Sequence, residues 1–180
     1  MNPAPGLPFI RIRVPGKMLR MVFLLAFGSL LSACQEPTAG VSIVGYNHTT
    51  NRSIYTFTVD GRMGSNLRPE SGGGKFSCCV DIPKTWRPGL KVRIRWEYQD
   101  GTAIPPPPPP QEAEVDVPRY GSADMDELNV HFYPDHKVKV LVSNKTIRHP
   151  DYPPELRWDA PPPTDAAVGR ALPETPPAAN

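Results

Sequence analysis

Thiols are scarce. Three cysteines in 180 residues, Cys34, Cys78 and Cys79, exclude the multi-bridge scaffolds by which small secreted domains hold themselves together. Long apolar runs are missing as well: residues 21–31 form the longest, and they are too few to span a bilayer. Catalytic signatures are equally thin. Gly72, Gly73 and Gly74 precede Lys75, but Phe76 stands where a phosphate loop needs Ser or Thr, and the first Gly of G-x-x-x-x-G-K is absent. No helix is expected to follow and offer its amino end, so the triplet reads as a flexible loop. There is no G-x-S-x-G, and no Ser/His/Asp set can be paired by spacing. His48, His131, His136 and His149 have no Cys or carboxylate beside them at zinc-site spacing, and are expected on the surface or in ordinary hydrogen bonds. These absences leave no catalytic residue, metal or cofactor to assign, and the chain reads as a non-enzyme.

What is present begins at the amino terminus. Arg11, Arg13, Lys17 and Arg20 lead into the 21–31 apolar run, which ends in Leu31-Ser32-Ala33-Cys34. A basic region, a short apolar core and a small-residue cleavage zone are the parts of an export signal. The last four residues resemble the lipobox of bacterial lipoproteins. That resemblance implies cleavage before Cys34, with acyl chains on its sulfur and amino group. Gln35 follows where Asp would favour inner-membrane retention, so the expected location is the outer membrane, facing the periplasm. Each buried acyl methylene contributes about 0.8 kcal/mol, so two or three chains hold a small domain at the bilayer. Twenty Lys and Arg against eighteen Asp and Glu become sixteen against eighteen once the four basic residues of the signal are removed. A net-acidic mature chain gives no reason to expect nucleic acid as a partner.

From Val41 the dominant period is two. Leu90, Val92, Ile94, Trp96 and Tyr98 share one face, and Lys91, Arg93, Arg95 and Glu97 share the other. Shorter runs place Tyr55, Phe57 and Val59 together, Val115 with Val117, then Leu128, Val130 and Phe132, then Val138, Val140 and Val142. With 41–46 and 76–80 this makes about seven strands, and Pro134-Asp135 predicts a tight hairpin between the last two. The expected fold is all-β: a single small β-sandwich of about seven antiparallel strands, immunoglobulin-like or, on the same pattern, a small open barrel. The expected division is a signal peptide over 1–33, a tether over 34–40, the sandwich over 41–158 and a disordered Pro/Ala-rich tail over 159–180. Prolines 105–110 are read as a stiff spacer, with docking on an aromatic groove as the alternative.

Two further groups bear on function. Neighbouring residues on a regular strand point to opposite faces, so Cys78 and Cys79 leave three readings: a vicinal disulfide at a turn, two reduced buried thiols, or pairing with another chain. Lys91, Arg93 and Arg95 project from one strand face at intervals of about 6.6 Å, two residues of strand rise. They form either a site for an acidic partner or headgroups, or a charged solvated face. Trp86, beside Arg87-Pro88-Gly89, is either a contact residue or a core plug. Trp and Arg are common binding hot spots, so Trp86, Lys91, Arg93 and Arg95 are the candidate partner-binding residues.

Several segments together carry a wider resemblance: Gly45-Tyr46-Asn47-His48-Thr49, the triple glycine, Cys78-Cys79-Val80, Pro83 with Trp86-Arg87-Pro88-Gly89-Leu90, Val130-His131-Phe132 and Pro150-Asp151-Tyr152-Pro153. In this order the chain from Val41 to about Pro154 resembles a family of proteobacterial lipoproteins that carry a domain of unknown function. The polyproline run and the tail stand outside that pattern. The resemblance implies membrane anchoring. Some relatives lie beside type VI secretion phospholipase effectors, which implies an immunity protein that binds a secreted lipase. A structural or assembly lipoprotein of the envelope is the alternative expectation.

Overall fold

The computed structural model describes residues 36–98 and 107–173. The signal region, Cys34, Gln35, the first two prolines of the 105–110 run and residues 174–180 lie outside them. Ten strands follow in chain order: β1 (Thr38–Asn47), β2 (Ile54–Val59), β3 (Arg62–Met63), β4 (Ser71–Pro83), β5 (Lys91–Tyr98), β6 (Gln111–Asp116), β7 (Glu127–Tyr133), β8 (Lys137–Ser143), β9 (Ala167–Val168) and β10 (Arg170–Ala171). Three are two-residue strands; the other seven match the expected number. One sheet runs β4-β1-β7-β8-β9 and the other β10-β6-β5-β2-β3. Among the described residues the only helices are single 3-10 turns, Ser122–Asp124 and Pro154–Leu156, and no helix is long and apolar enough to cross a membrane.

The alternation read from the sequence sets the register. Val92, Ile94, Trp96 and Tyr98 are buried between the sheets while Lys91, Arg93, Arg95 and Glu97 point to solvent. Opposite them lie Leu128, Val130 and Phe132 from β7 and Val138, Val140 and Val142 from β8, in one continuous core. The β7–β8 hairpin closes at Pro134, with Asp135 and His136 both in the left-handed region.

Four features differ from expectation. All strand pairings are antiparallel except β1 with β7, which run parallel. β1 is inserted between β4 and β7, whereas the immunoglobulin order keeps the third and sixth strands adjacent. The triple glycine, read as a flexible loop, is the start of β4. Gly73 needs its left-handed backbone (φ +72°) and lies so close to the Tyr46 ring that a Cβ there would come within 2.8 Å of it. Finally, the segment from 159, read as disordered, is placed through residue 173. β9 pairs with β8 and β10 with β6, so the chain passes from one sheet to the other. Gly169 makes the crossing against Trp96, whose ring would lie 2.4 Å from an added Cβ. Small residues with free backbone amides can pair with strand edges even when they have no face to bury, and composition alone does not reveal it.

A candidate histidine–aromatic site

The outer face of the first sheet is not left to water. β7 reads Leu-Asn-Val-His-Phe-Tyr from Leu128 to Tyr133 and every one of these is buried, and β1 is buried on both faces from Ile43 to Asn47. The cover is the segment after β8, which brings Ile147, Tyr152 and Leu156 onto Val44 and Tyr46 as a second, smaller core. This strap is turned by its own backbone hydrogen bonds, His149 N–H to Thr146 C=O and Tyr152 N–H to His149 C=O, and the Arg157 guanidinium donates to the Tyr152 carbonyl at 3.0 Å.

His48 and His131 meet beneath it. Asn47 has no exposed surface; its Nδ2 donates to the carbonyls of Arg52 (2.8 Å) and Arg68 (3.1 Å), and its Oδ1 accepts from the Thr49 amide. That saturated amide fixes the turn leaving β1, and with it His48, whose own N–H donates to the Phe132 carbonyl. His48 Nε2 then lies 2.9 Å from His131 Nδ1, and His131 Nε2 lies 2.7 Å from the Tyr152 hydroxyl. Aromatic faces enclose the chain of contacts: Tyr46 stacks on His131 at 4.7 Å, Tyr133 on His48 at 4.5 Å, and Trp158 tilts over His48 at 4.7 Å.

Burial decides the protonation. Desolvation lowers His48 to about 4 and holds the fully buried His131 well below its ordinary value, with His48 and Lys139 adding to the effect on His131. Tyr46, Tyr133 and Tyr152 are all raised, again chiefly by burial. At neutral pH the cluster is therefore uncharged, and the two imidazoles share one proton across their contact, the remaining nitrogen of His131 being matched by the Tyr152 hydroxyl. If both rings were charged, two N–H groups would face each other at 2.9 Å. Beside this cluster a groove runs between the β4 glycines and the strap, walled by Tyr46, Ile147 and Trp158, with Glu70 and Arg148 at its rim. Trp158 is 36% exposed, the most accessible ring of the cluster.

The residues singled out from the sequence lie elsewhere. Lys91, Arg93 and Arg95 do share the outer face of the second sheet, but each faces a carboxylate on β6: Lys91–Asp116 at 3.6 Å, Arg93–Glu114 at 3.7 Å, and Arg95 with Glu112, which also takes Arg170 at 3.0 Å. The row is a ladder of cross-strand ion pairs rather than an unmatched basic stripe. Trp86 packs against the main core and its Nε1 donates to the Val117 carbonyl at 2.8 Å, so it plugs the end of the sandwich. Cys78 and Cys79 are bonded to each other, on a strand and not at a turn. The partner of Val41 is Val80 and that of Ile43 is Ser77, so both cysteines stand opposite Ser42 in a bulge. His136 contacts the Tyr98 hydroxyl at 2.9 Å, and His149 is exposed. No group of three or more His, Cys, Asp or Glu side chains placed to hold a metal occurs among the described residues. The histidine cluster itself escaped sequence reasoning because its members are 83 residues apart. The available signal was β7, where polar Asn129 and His131 and the aromatic Tyr133 occupy the positions of a solvent face.

Fold and site together define a two-sheet β-sandwich whose outer face carries a strapped, uncharged histidine–tyrosine cluster. The family model described as protein of unknown function (DUF3304) matches residues 46–140, and the chain belongs to that family. The matched stretch contains Tyr46, His48, Cys78, Cys79, His131 and Tyr133. No curated protein and no solved structure matches the chain.

Proposed function

We propose that this chain is a lipid-anchored lipoprotein of the cell envelope that acts by binding a protein, and that the partner is a secreted phospholipase whose action the domain blocks. The observation that carries the binding reading is the position of the groove. β1 starts at Thr38, and its far end holds Tyr46, with His48 directly after the strand, ten residues and roughly 30 Å along. An anchor on Cys34 leaves three residues, four chain steps and at most about 14 Å, before Thr38. With such an anchor the start of β1 is held within that distance of Cys34, while the Trp158–Arg148 groove lies beside Tyr46 towards the other end of the strand, where a partner can reach it. Tethering also confines the inhibitor to the surface that a lipase attacks, which raises its effective concentration there. The Cys78–Cys79 bond supports an oxidising compartment.

The test has two parts. Cys34→Ala should release the domain from membranes; a variant that still fractionates wholly with them sinks the anchor. If a phospholipase is encoded beside this gene, Trp158→Ala and Arg148→Ala should each weaken its capture, by about thirtyfold for a true hot spot. The triple variant Lys91→Ala, Arg93→Ala, Arg95→Ala tests the opposite face. If the triple variant alone loses capture, the ion-paired ladder is the binding surface and the groove is not. If no adjacent lipase is bound by the unaltered protein, the immunity reading fails.

A further inference from the structure

A disulfide stabilises largely by closing a loop in the unfolded chain, and the gain grows with the number of residues enclosed. Cys78 and Cys79 are sequence neighbours, so their bond encloses nothing and joins no two elements. Its placement suits reaction instead. β4 is a sheet edge whose ladder partner among the described residues is β1 alone. Cys78 is exposed, and Cys79 is half-buried over Gly40, where an added Cβ would come within 3.4 Å of the Cys79 Cβ. A nucleophile in solvent therefore reaches the Cys78 sulfur first. The bond and the bulge also fall at the same place. A regular strand would send the two side chains to opposite faces, whereas the two-against-one step opposite Ser42 breaks that alternation at the cysteine pair.

We propose that Cys78–Cys79 is a thiol–disulfide exchange site whose redox state is coupled to the β4–β1 bulge. A thiolate of an external dithiol attacks Cys78 Sγ. The Cys78–Cys79 bond breaks, its electron pair leaves on Cys79 Sγ, and that sulfur takes up a proton while the dithiol is held on Cys78 as a mixed disulfide. The second thiolate of the dithiol attacks its own bonded sulfur and expels Cys78, which is protonated in turn. The dithiol ends oxidised as an internal disulfide, and the protein gains two thiols. With the clamp open, nothing covalent holds the bulge, and the β1–β4 ladder around Ser42 opens more often while the rest of the sandwich is unaffected.

The test uses the full chain, with any free thiol alkylated beforehand, and dithiothreitol as the dithiol under native conditions. A second alkylating label should appear on both Cys78 and Cys79 while the strand signal in circular dichroism is retained. Amide exchange at Val41, Ile43 and 77–80 should quicken by about tenfold, while the Ser42 amide, which donates to the Asp126 carbonyl, and β7 and β8 stay protected. The double variant Cys78→Ser, Cys79→Ser should show the same exchange pattern without reductant. Glutathione, a monothiol, should be trapped by acid quench on Cys78. The proposal is overturned by any of four results: no label until the chain unfolds, loss of the strand signal on reduction, reduction with unchanged exchange at Val41, Ile43 and 77–80, or trapping of glutathione on Cys79.

Discussion

Acidification from pH 7 to pH 5 should loosen the strap over β1 and β7, and the size of the effect follows from the two buried imidazoles. His48 falls from the ordinary 6.5 to about 4 in the folded protein. A group whose folded value is depressed binds more protons when unfolded, so its contribution is fully present above pH 6.5 and is lost as pH falls towards 4. For a shift of this size the loss by pH 5 is about 2 kcal/mol, halved to about 1 kcal/mol because His48 keeps partial access to water. His131 is depressed by burial, by His48 and by Lys139, so it acts in the same direction. His136 also contributes with this sign, through desolvation and Arg52. Glu127, raised by burial and by Asp126, opposes them as it titrates. Glu112 and Asp165, held low by Arg95 and Lys139 respectively, lose stability only below the usual carboxylate range and drop out of this window. Thermal unfolding should therefore show a midpoint several degrees lower at pH 5 than at pH 7, at roughly 3 °C per kcal/mol for a domain of this size. In the double variant His48→Phe, His131→Phe the fall should shrink to what His136 leaves. Equal falls in both proteins, or none in the unaltered one, would refute the reasoning.

Asn129 is completely buried, and neither end of its amide has a hydrogen-bond partner among the described residues. Asn129→Leu should raise stability by about 1 kcal/mol in urea unfolding, and a clear loss would show that the amide is satisfied. Gly169→Ala should cost about 1–3 kcal/mol and expose β9 and β10 to proteolysis, since the new methyl meets the Trp96 ring; unchanged proteolysis would refute the clasp. Arg93→Ala should leave unfolding within about 0.5 kcal/mol, because both members of its pair with Glu114 are more than half exposed.

The seven longer strands, the inward set on β5 and the Pro134 hairpin were legible in the sequence because they depend on near neighbours: period-two burial and local turn chemistry act over a few residues. The sequence also carried the apolar run and Leu31-Ser32-Ala33-Cys34, which need no fold to be read. The histidine cluster was not legible. Whether His131 faces water or the strap depends on a segment some twenty residues downstream, and its partner His48 arrives through the parallel pairing of β1 with β7, which no spacing encodes. The same holds for the ion-pair ladder, where the basic column was visible on β5 but the acids that match it stand on a separate strand, β6, whose register against β5 only the fold sets. Cys78 and Cys79 stood between three readings until the register with β1 supplied a bulge. Local periodicity decides which side of a strand is apolar; which strand lies alongside, and what covers the other side, is decided only when the whole chain packs.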